Sequence, residues 1–171
     1  MRDVTFVAER TMPSPLGDLV LRASDTGLRR IAFVGEEVHR TWRRIPATDA
    51  LRAEHILDDT VVQLDEYFTS RRRTFVLPLE PVGTEFQVSA WWALDRIPYG
   101  ETVSYAEQAD WIGAPTATRA VGGANGRNPL PIVLPCHRVI GADGSLTGYG
   151  GGIERKVWLL GLEAREKAAK S

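Results

Sequence analysis

The sequence predicts an α+β chain: a small N-terminal antiparallel sheet-plus-helix domain, then a mainly helical C-terminal domain with a helix-turn-helix. Three observations lead there. Short apolar runs separated by Pro- and Gly-containing turns crowd the first part of the chain. Helical periodicity with capping signals dominates from residue 84 onward. Between them, Pro81-Val82-Gly83 reads as a linker, dividing the chain into residues 1–82 and 84–171.

Bulk properties bound the function classes. A chain of 171 residues, 43% hydrophobic and 25% charged, suits one ordinary globular domain or two small ones. No apolar run approaches the roughly 20 residues that cross a bilayer, and a signal-peptide pattern is lacking, so no membrane partner is expected. One cysteine rules out an internal disulfide framework and fits a reducing compartment, the cytoplasm. A net charge of −1 is no signature of nucleic-acid binding. Its distribution is more informative: from Trp111 to Ala142 the charged residues are Arg119, Arg127 and Arg138, with no acid among them, which fits a local positive surface, although three arginines alone do not displace the reading of an ordinary solvated face.

In the N-terminal part, Val4–Ala8, Leu19–Ala23 and Leu28–Phe33 read as strands of an antiparallel meander, separated by the turns at 13–17 and 24–27. From Leu51 to Tyr67 the pattern turns helical, with Leu57, Val61, Leu64 and Phe68 on one face. Arg71-Arg72-Arg73 falls at that helix's end, where cations favour the dipole. Thr74–Leu79 reads as a further strand. His39 and His55 have no partners at ligand spacing, and both are expected at the surface rather than on a metal.

In the C-terminal part, Thr84-Glu85-Phe86-Gln87 has the form of a capping box opening a helix with Phe86, Ala90, Ala93, Leu94 and Ile97 inward, which Pro98-Tyr99-Gly100 stops. Ser104-Tyr105-Ala106-Glu107 is a second box. Gly113 and Pro115 break the chain before a third helix through Arg119 to Asn125, completing a helix-turn-helix candidate. Ala117, Ala120, Gly122, Gly123 and Ala124 give that helix a small-residue surface. On the residues alone, close packing in the core and close approach to an external partner stand even. Gly144–Gly152 is too glycine-rich for a helix; its backbone can lie against a flat ring that Tyr149 covers. No lysine-serine/threonine pair follows it, which excludes a P-loop. Ile153–Glu163 is the final helix, with Val157, Trp158 and Leu160 packing inward.

Pro135-Cys136-His137-Arg138-Val139 carries the chemistry. Most lone cysteines are inert core hydrophobes. Here His137 and Arg138 follow directly and supply the positive potential that lowers a thiol pKa, making Cys136 a candidate nucleophile. Adjacent side chains diverge, so His137 would reach the thiol through a water.

This motif resembles the active-site motif of the O6-alkylguanine-DNA alkyltransferases. The resemblance runs from about Thr84 to Glu163, through Pro98-Tyr99-Gly100-Glu101-Thr102, Ser104-Tyr105, Arg119-Ala120-Val121-Gly122, Asn125, Asn128-Pro129, the Pro-Cys-His-Arg-Val core, Gly148–Gly152 and Lys156. It implies a ribonuclease H-like N-terminal scaffold without the cysteine-held zinc of some relatives. It also implies a C-terminal domain that binds double-stranded DNA in the minor groove, acting as a monomer with no metal or organic cofactor. The alkyl group of a flipped O6-alkylguanine, with O4-alkylthymine as a second candidate lesion, would pass irreversibly to Cys136, once per molecule. The implied catalytic set is Cys136, His137 as base, Glu163 orienting it, Tyr105 as proton donor and Asn128 holding the segment. DNA contacts fall to Arg119, which would replace the extruded base, with Ala120, Gly122, Ala124, Asn125, Arg127 and Tyr105. The pocket falls to Pro131, Val139, Tyr149, Gly150 and Gly151. Gly150 departs from the family, where many relatives have serine, and Asp110-Trp111 is also less usual; both bear on lesion preference and DNA affinity. The main alternative is a lesion-binding protein of the alkyltransferase-like kind, but those lack the cysteine. A thiol hydrolase would need an oxyanion hole and would turn over. A helix-turn-helix regulator would need a further domain.

Overall fold

The computed structural model describes residues 4–36 and 41–169, so His39 lies outside the described residues. The chain forms two compact units, residues 1–82 and 83–171.

In the first unit, β2 (Ala8–Met12), β3 (Leu19–Ala23) and β4 (Leu28–Phe33) form the antiparallel meander, in the order β2-β3-β4. Alternation buries Leu19, Leu21 and Ala23 on one side of the central strand. The first predicted strand is divided at Val7: β1 (Val4–Phe6) pairs in parallel with β5 (Trp42–Arg44), a strand too short to stand out in the sequence. Helix α1 (Ala50–Phe68) is capped by Asp49, whose side chain accepts from the Arg52 amide, and it buries Ala53, Leu57, Leu64 and Phe68. Val61 is only half-buried.

Two of the three arginines form ion pairs: Arg71 meets Asp65 at 3.0 Å and Arg72 meets Glu66 at 2.7 Å. Thr74–Leu79 does not form the predicted strand. It makes one bridge, Leu28 to Leu79, and the Gln63 side-chain amide pairs with both backbone groups of Val76, satisfying them in place of a partner strand. Glu80 then fastens the segment. It takes two bonds from Arg29 at 2.9 and 3.0 Å and hydroxyl bonds from Ser24 and Thr26.

In the second unit, both capping boxes form. Thr84 and Gln87 cap α2 (Glu85–Leu94), and Ser104 and Glu107 cap α3 (Tyr105–Trp111). Helix α2 buries Ala90, Trp91, Ala93 and Leu94, whereas Phe86, expected inward, is half-buried. A turn through Gly113 (φ 72°) leads to α4 (Thr118–Gly126), completing the helix-turn-helix. Helix α4 has no side-chain cap and three glycines, so its own helix propensity is poor. Its position comes from neighbours: Trp91 Nε1 donates to the Ala124 carbonyl at 2.8 Å, while Gln108 and Asn125 exchange two amide bonds at 2.9 and 2.7 Å. Helix α5 (Ile153–Ala169) runs past the expected end and buries Lys156, Leu159, Leu162 and Glu163. Val157, expected to pack, is half exposed: the inward stripe follows 156, 159 and 163, one position away. Among the described residues no helix is long and apolar enough to cross a membrane.

Candidate active site

The cysteine segment is fixed by backbone constraints before any chemistry is considered. After α4, the Asn128 side chain accepts from the Leu130 amide at 2.9 Å and donates to the Leu134 carbonyl at 2.7 Å, closing the loop around Pro129–Val133. Ile132 inside that loop is fully buried with φ 76°, a left-handed conformation that is unusual for a β-branched residue and costs about 1–3 kcal/mol. Burial of Leu130, Ile132, Val133 and Leu134 offsets that strain. Cys136–Arg138 form one 3-10 turn, and β7 (Val139–Ile140) pairs in parallel with β6 (Val103–Ser104), immediately before Tyr105. The short ladder brings the start of α3 beside the end of the cysteine motif.

Cys136 is buried, and burial pushes its thiol up to about 11; a hydrogen bond from Asn128, the Lys156 charge and nearby backbone amides oppose this only in part. The expectation that His137 and Arg138 lower the thiol pKa is therefore corrected. Arg138 is committed elsewhere: its guanidinium donates to Glu163 at 2.9 Å from both Nε and Nη2, and to the Ile97 carbonyl at 2.6 Å.

His137 is fully buried, and Nε2 lies 2.8 Å from Glu163 Oε1. Burial lowers its pKa more than Glu163 raises it, with Arg138 and Lys156 lowering it further, so the imidazole is neutral. A neutral ring beside a carboxylate presents Nε2–H to it, which leaves the Nδ1 lone pair as the basic site. Nδ1 is buried without a hydrogen-bond partner among the described residues. Burial would raise the Glu163 carboxyl, but hydrogen bonds and charge from His137 and Arg138 outweigh it and hold the group below the usual carboxylate range. Because His137 is neutral, we assign most of that effect to Arg138. The Gly100 amide adds a bond at 3.2 Å. Glu163 thus orients the base from the middle of α5.

Lys156, which the sequence marks only as a companion of the motif with no role assigned, is 1% exposed. Its ammonium donates to the Val139 carbonyl at 2.6 Å and to the Thr147 carbonyl at 3.2 Å. Burial lowers its pKa and the charge of Cys136 opposes that, so the buried cation nearest in effect to the thiol is Lys156 rather than Arg138. Tyr105 Oη donates to the same Thr147 carbonyl at 2.7 Å; burial, then the Cys136 charge, raise its pKa and keep the phenol protonated.

The remaining predicted residues separate by face. Arg119 and Ala120 are exposed on α4, Gly122 is half-buried, and Arg127 is exposed just beyond the helix. Ala124 and Asn125, expected on the DNA-facing surface, are each 3% exposed and point inward, because their atoms are the ones Trp91 and Gln108 hold. Val139 and Tyr149 are buried, Pro131 and Gly151 half-buried, and Gly150 exposed. His55 is exposed on α1. Among the described residues, no three His, Cys, Asp or Glu side chains gather as a metal site.

Comparison with known proteins identifies the family. Residues 85–165 match the DNA-binding domain of 6-O-methylguanine DNA methyltransferase, and residues 7–81 match its ribonuclease-like domain. A methylated-DNA–protein-cysteine methyltransferase of Mycolicibacterium paratuberculosis is 48% identical over 167 residues, covering 96% of each chain. The constitutive enzyme of that name in Bacillus subtilis is 45% identical, covering 90% of this chain and 93% of its own. The crystal structure of Mycobacterium tuberculosis OGT in complex with DNA superposes with a TM-score of 0.80 at 46% identity, over 95% of this chain and 94% of that one.

Proposed function

The chain belongs to the 6-O-methylguanine DNA methyltransferase family, and on that premise we propose that it repairs alkylated duplex DNA by moving the alkyl group of O6-alkylguanine onto Cys136. The observation that carries this reading is the buried thiol with Asn128 and Lys156 acting on it, next to a neutral His137 oriented by Glu163. That set can form a thiolate at the moment of attack without maintaining one at rest.

An alkyl carbon inside a duplex is out of reach of a buried side chain, so the nucleotide must leave the stack. The exposed Arg119 on a helix of small residues suits insertion from the minor groove, with Ala120, Gly122 and Arg127 against the backbone. Residues 84–171 carry binding and transfer, and residues 1–82 act as scaffold. Tyr149 and the glycines around it close on the flipped base.

In the transfer, the sulfur lone pair forms the S–C bond as the C–O6 bond breaks, and the bonding pair leaves with guanine. The thiol proton passes to His137 Nδ1 through a water. Tyr105 gives its proton to the departing base and recovers one from solvent, so that guanine leaves neutral. Lys156 stabilises the thiolate as it forms. The resulting thioether has no leaving group for water to displace, so each molecule acts once. O4-alkylthymine offers the same C–O bond and is the second lesion to test. A thiol that must stay reduced suits the cytoplasm, and nothing in the step requires a second copy of the chain.

The test is a titration with O6-methylguanine duplex, counting methyl groups transferred. A plateau at one per protein supports the reading; continued turnover supports a hydrolase, and binding without transfer supports a lesion sensor.

A further inference from the structure

A pair of opposite charges is buried beside His137: Arg138 is 6% exposed and Glu163 1%. Oε1 of Glu163 accepts from His137 Nε2 at 2.8 Å and from Arg138 Nη2 at 2.9 Å. Oε2 accepts from Arg138 Nε at 2.9 Å and from the Gly100 amide at 3.2 Å. A carboxylate offers about four lone-pair positions, so these N–H groups leave no room for a proton on it. Nη1 of Arg138 donates to the Ile97 carbonyl at 2.6 Å, and the guanidinium carbon lies 5.6 Å from the centre of the Tyr99 ring. Arg138 is thereby committed to Glu163 on α5 and to the turn that follows α2.

The proton count of this buried group decides whether His137 can act. With Arg138 present, one cation balances one carboxylate, and the imidazole joins them as a neutral N–H donor. A proton on Nδ1 would add a further buried charge, and Nδ1 has no hydrogen-bond partner among the described residues to receive that N–H. Lys156 also faces the imidazole from α5, the Cys136 thiol precedes it, and the turn after α2 brings the Tyr99 phenol. Burial lowers the His137 pKa, Glu163 raises it, and Arg138 and Lys156 lower it again. Removing Arg138 would take the counter-charge from a buried carboxylate. The imidazole, the stronger base of the two, would take up a proton to restore it, and Nδ1 would then carry a hydrogen.

We infer that Arg138 is a positioning residue for alkyl transfer: by holding and neutralising Glu163 inside the core, it keeps the His137 imidazole uncharged, with Nδ1 free to accept the thiol proton. This rests on the transfer reaction proposed above, and Arg138 acts in it only through Glu163. Two properties of the guanidinium suit the task. Its charge is permanent, so the balance does not change with pH, and its planar fork reaches both carboxylate oxygens.

The test follows single-turnover transfer from an O6-methylguanine duplex between about pH 5.5 and 9.5 for the parent, Arg138→Gln and Arg138→Lys, with nitrogen NMR of the labelled imidazole in each. Glutamine keeps hydrogen-bond donors and removes the charge; lysine keeps the charge and removes the fork. In Arg138→Gln the acid limb of the profile is expected about one pH unit or more above the parent's, so that the rate on that limb is about tenfold down and recovers as pH rises, and the His137 ring is an imidazolium at neutral pH. In Arg138→Lys the limb keeps the parent's position, whatever the plateau rate, and the ring stays neutral. A general loss of structure lowers the amplitude or the plateau at every pH and does not move the limb. A limb that stays in place in Arg138→Gln, or moves equally far in Arg138→Lys, overturns the inference and leaves the transfer reaction standing. Should Arg138→Gln fail to fold, Arg138→Lys decides alone: a limb in place with a neutral ring upholds the inference, and a displaced limb overturns it. Absence of transfer by the parent overturns the reaction itself, and the inference with it.

Discussion

Replacing His137 with glutamine removes the base while leaving Glu163 paired to Arg138. The thiol pKa near 11 stands about 3.5 units above a working pH of 7.5, so only about one thiol in a few thousand is ionised there, a deficit of about 5 kcal/mol. If attack drew on that pre-existing thiolate, the parent's rate would climb about tenfold per pH unit through pH 9.5. With neutral His137 accepting the proton internally, the reactive form is the resting one. The parent's rate is then flat from about pH 7 to 9.5 and falls only at lower pH, where the imidazole, its own pKa lowered by burial, takes up a proton. In the His137→Gln variant, transfer at pH 7.5 falls by about 10² to 10³, within the usual span of general-base catalysis, and the slope of one per pH unit returns. Single-turnover transfer from a labelled O6-methylguanine duplex reads both profiles. A rising profile in the parent, or a flat one in the variant, refutes the role assigned to His137.

Other expectations are independent of that step. Glu80, held at a pKa of about 2 by the hydrogen bonds of Arg29 and then Ser24 and Thr26, has a folded pKa below its unfolded one. It contributes stability above about pH 4.5 that is lost as pH falls towards 2. Because the group is about one third exposed, the contribution is only about 1–2 kcal/mol, and Glu80→Gln should flatten that limb of a stability–pH curve. Arg119→Ala should slow transfer from duplex at least tenfold while leaving reaction with free O6-benzylguanine unchanged; equal losses on both substrates would remove Arg119 from DNA insertion. Asn125→Ala should cost about 1–3 kcal/mol by stranding the Gln108 amide in the core, seen as a lower denaturation midpoint. If its main effect were on the salt dependence of DNA binding, the inward placement of Asn125 would not explain the loss.

What the sequence made legible was local. Both capping boxes and the break at Gly113 are written in adjacent residues, so the starts of α2 and α3 and the turn to α4 are legible directly, whereas α2 ends at Leu94, short of the expected stop at Pro98. The motif at 135–139 and its ordered companions pointed to the chemistry. The errors share one cause, which is that the deciding partner is distant. Arg138 looks like an activator of its neighbour Cys136 until Glu163, 25 residues away, takes its charge. Asn125 sits on a helix whose inward face is set by Gln108 on another helix, which periodicity within nine residues cannot reveal. Lys156 stands in the sequence only as a companion of the motif, and what makes its burial tolerable, the Val139 and Thr147 carbonyls, lies elsewhere in the chain. Strand β5 has three residues and a parallel partner nearly 40 positions earlier, and the left-handed Ile132 has no residue signature at all.

The identity of the acceptor atom is the central claim, and peptide mass spectrometry tests it most directly. After reaction with excess O6-methylguanine duplex, the account predicts one methyl group on the peptide containing Cys136, none elsewhere, and none in Cys136→Ala. A methyl group on any other residue, or repaired duplex beside an unmodified Cys136, would contradict it.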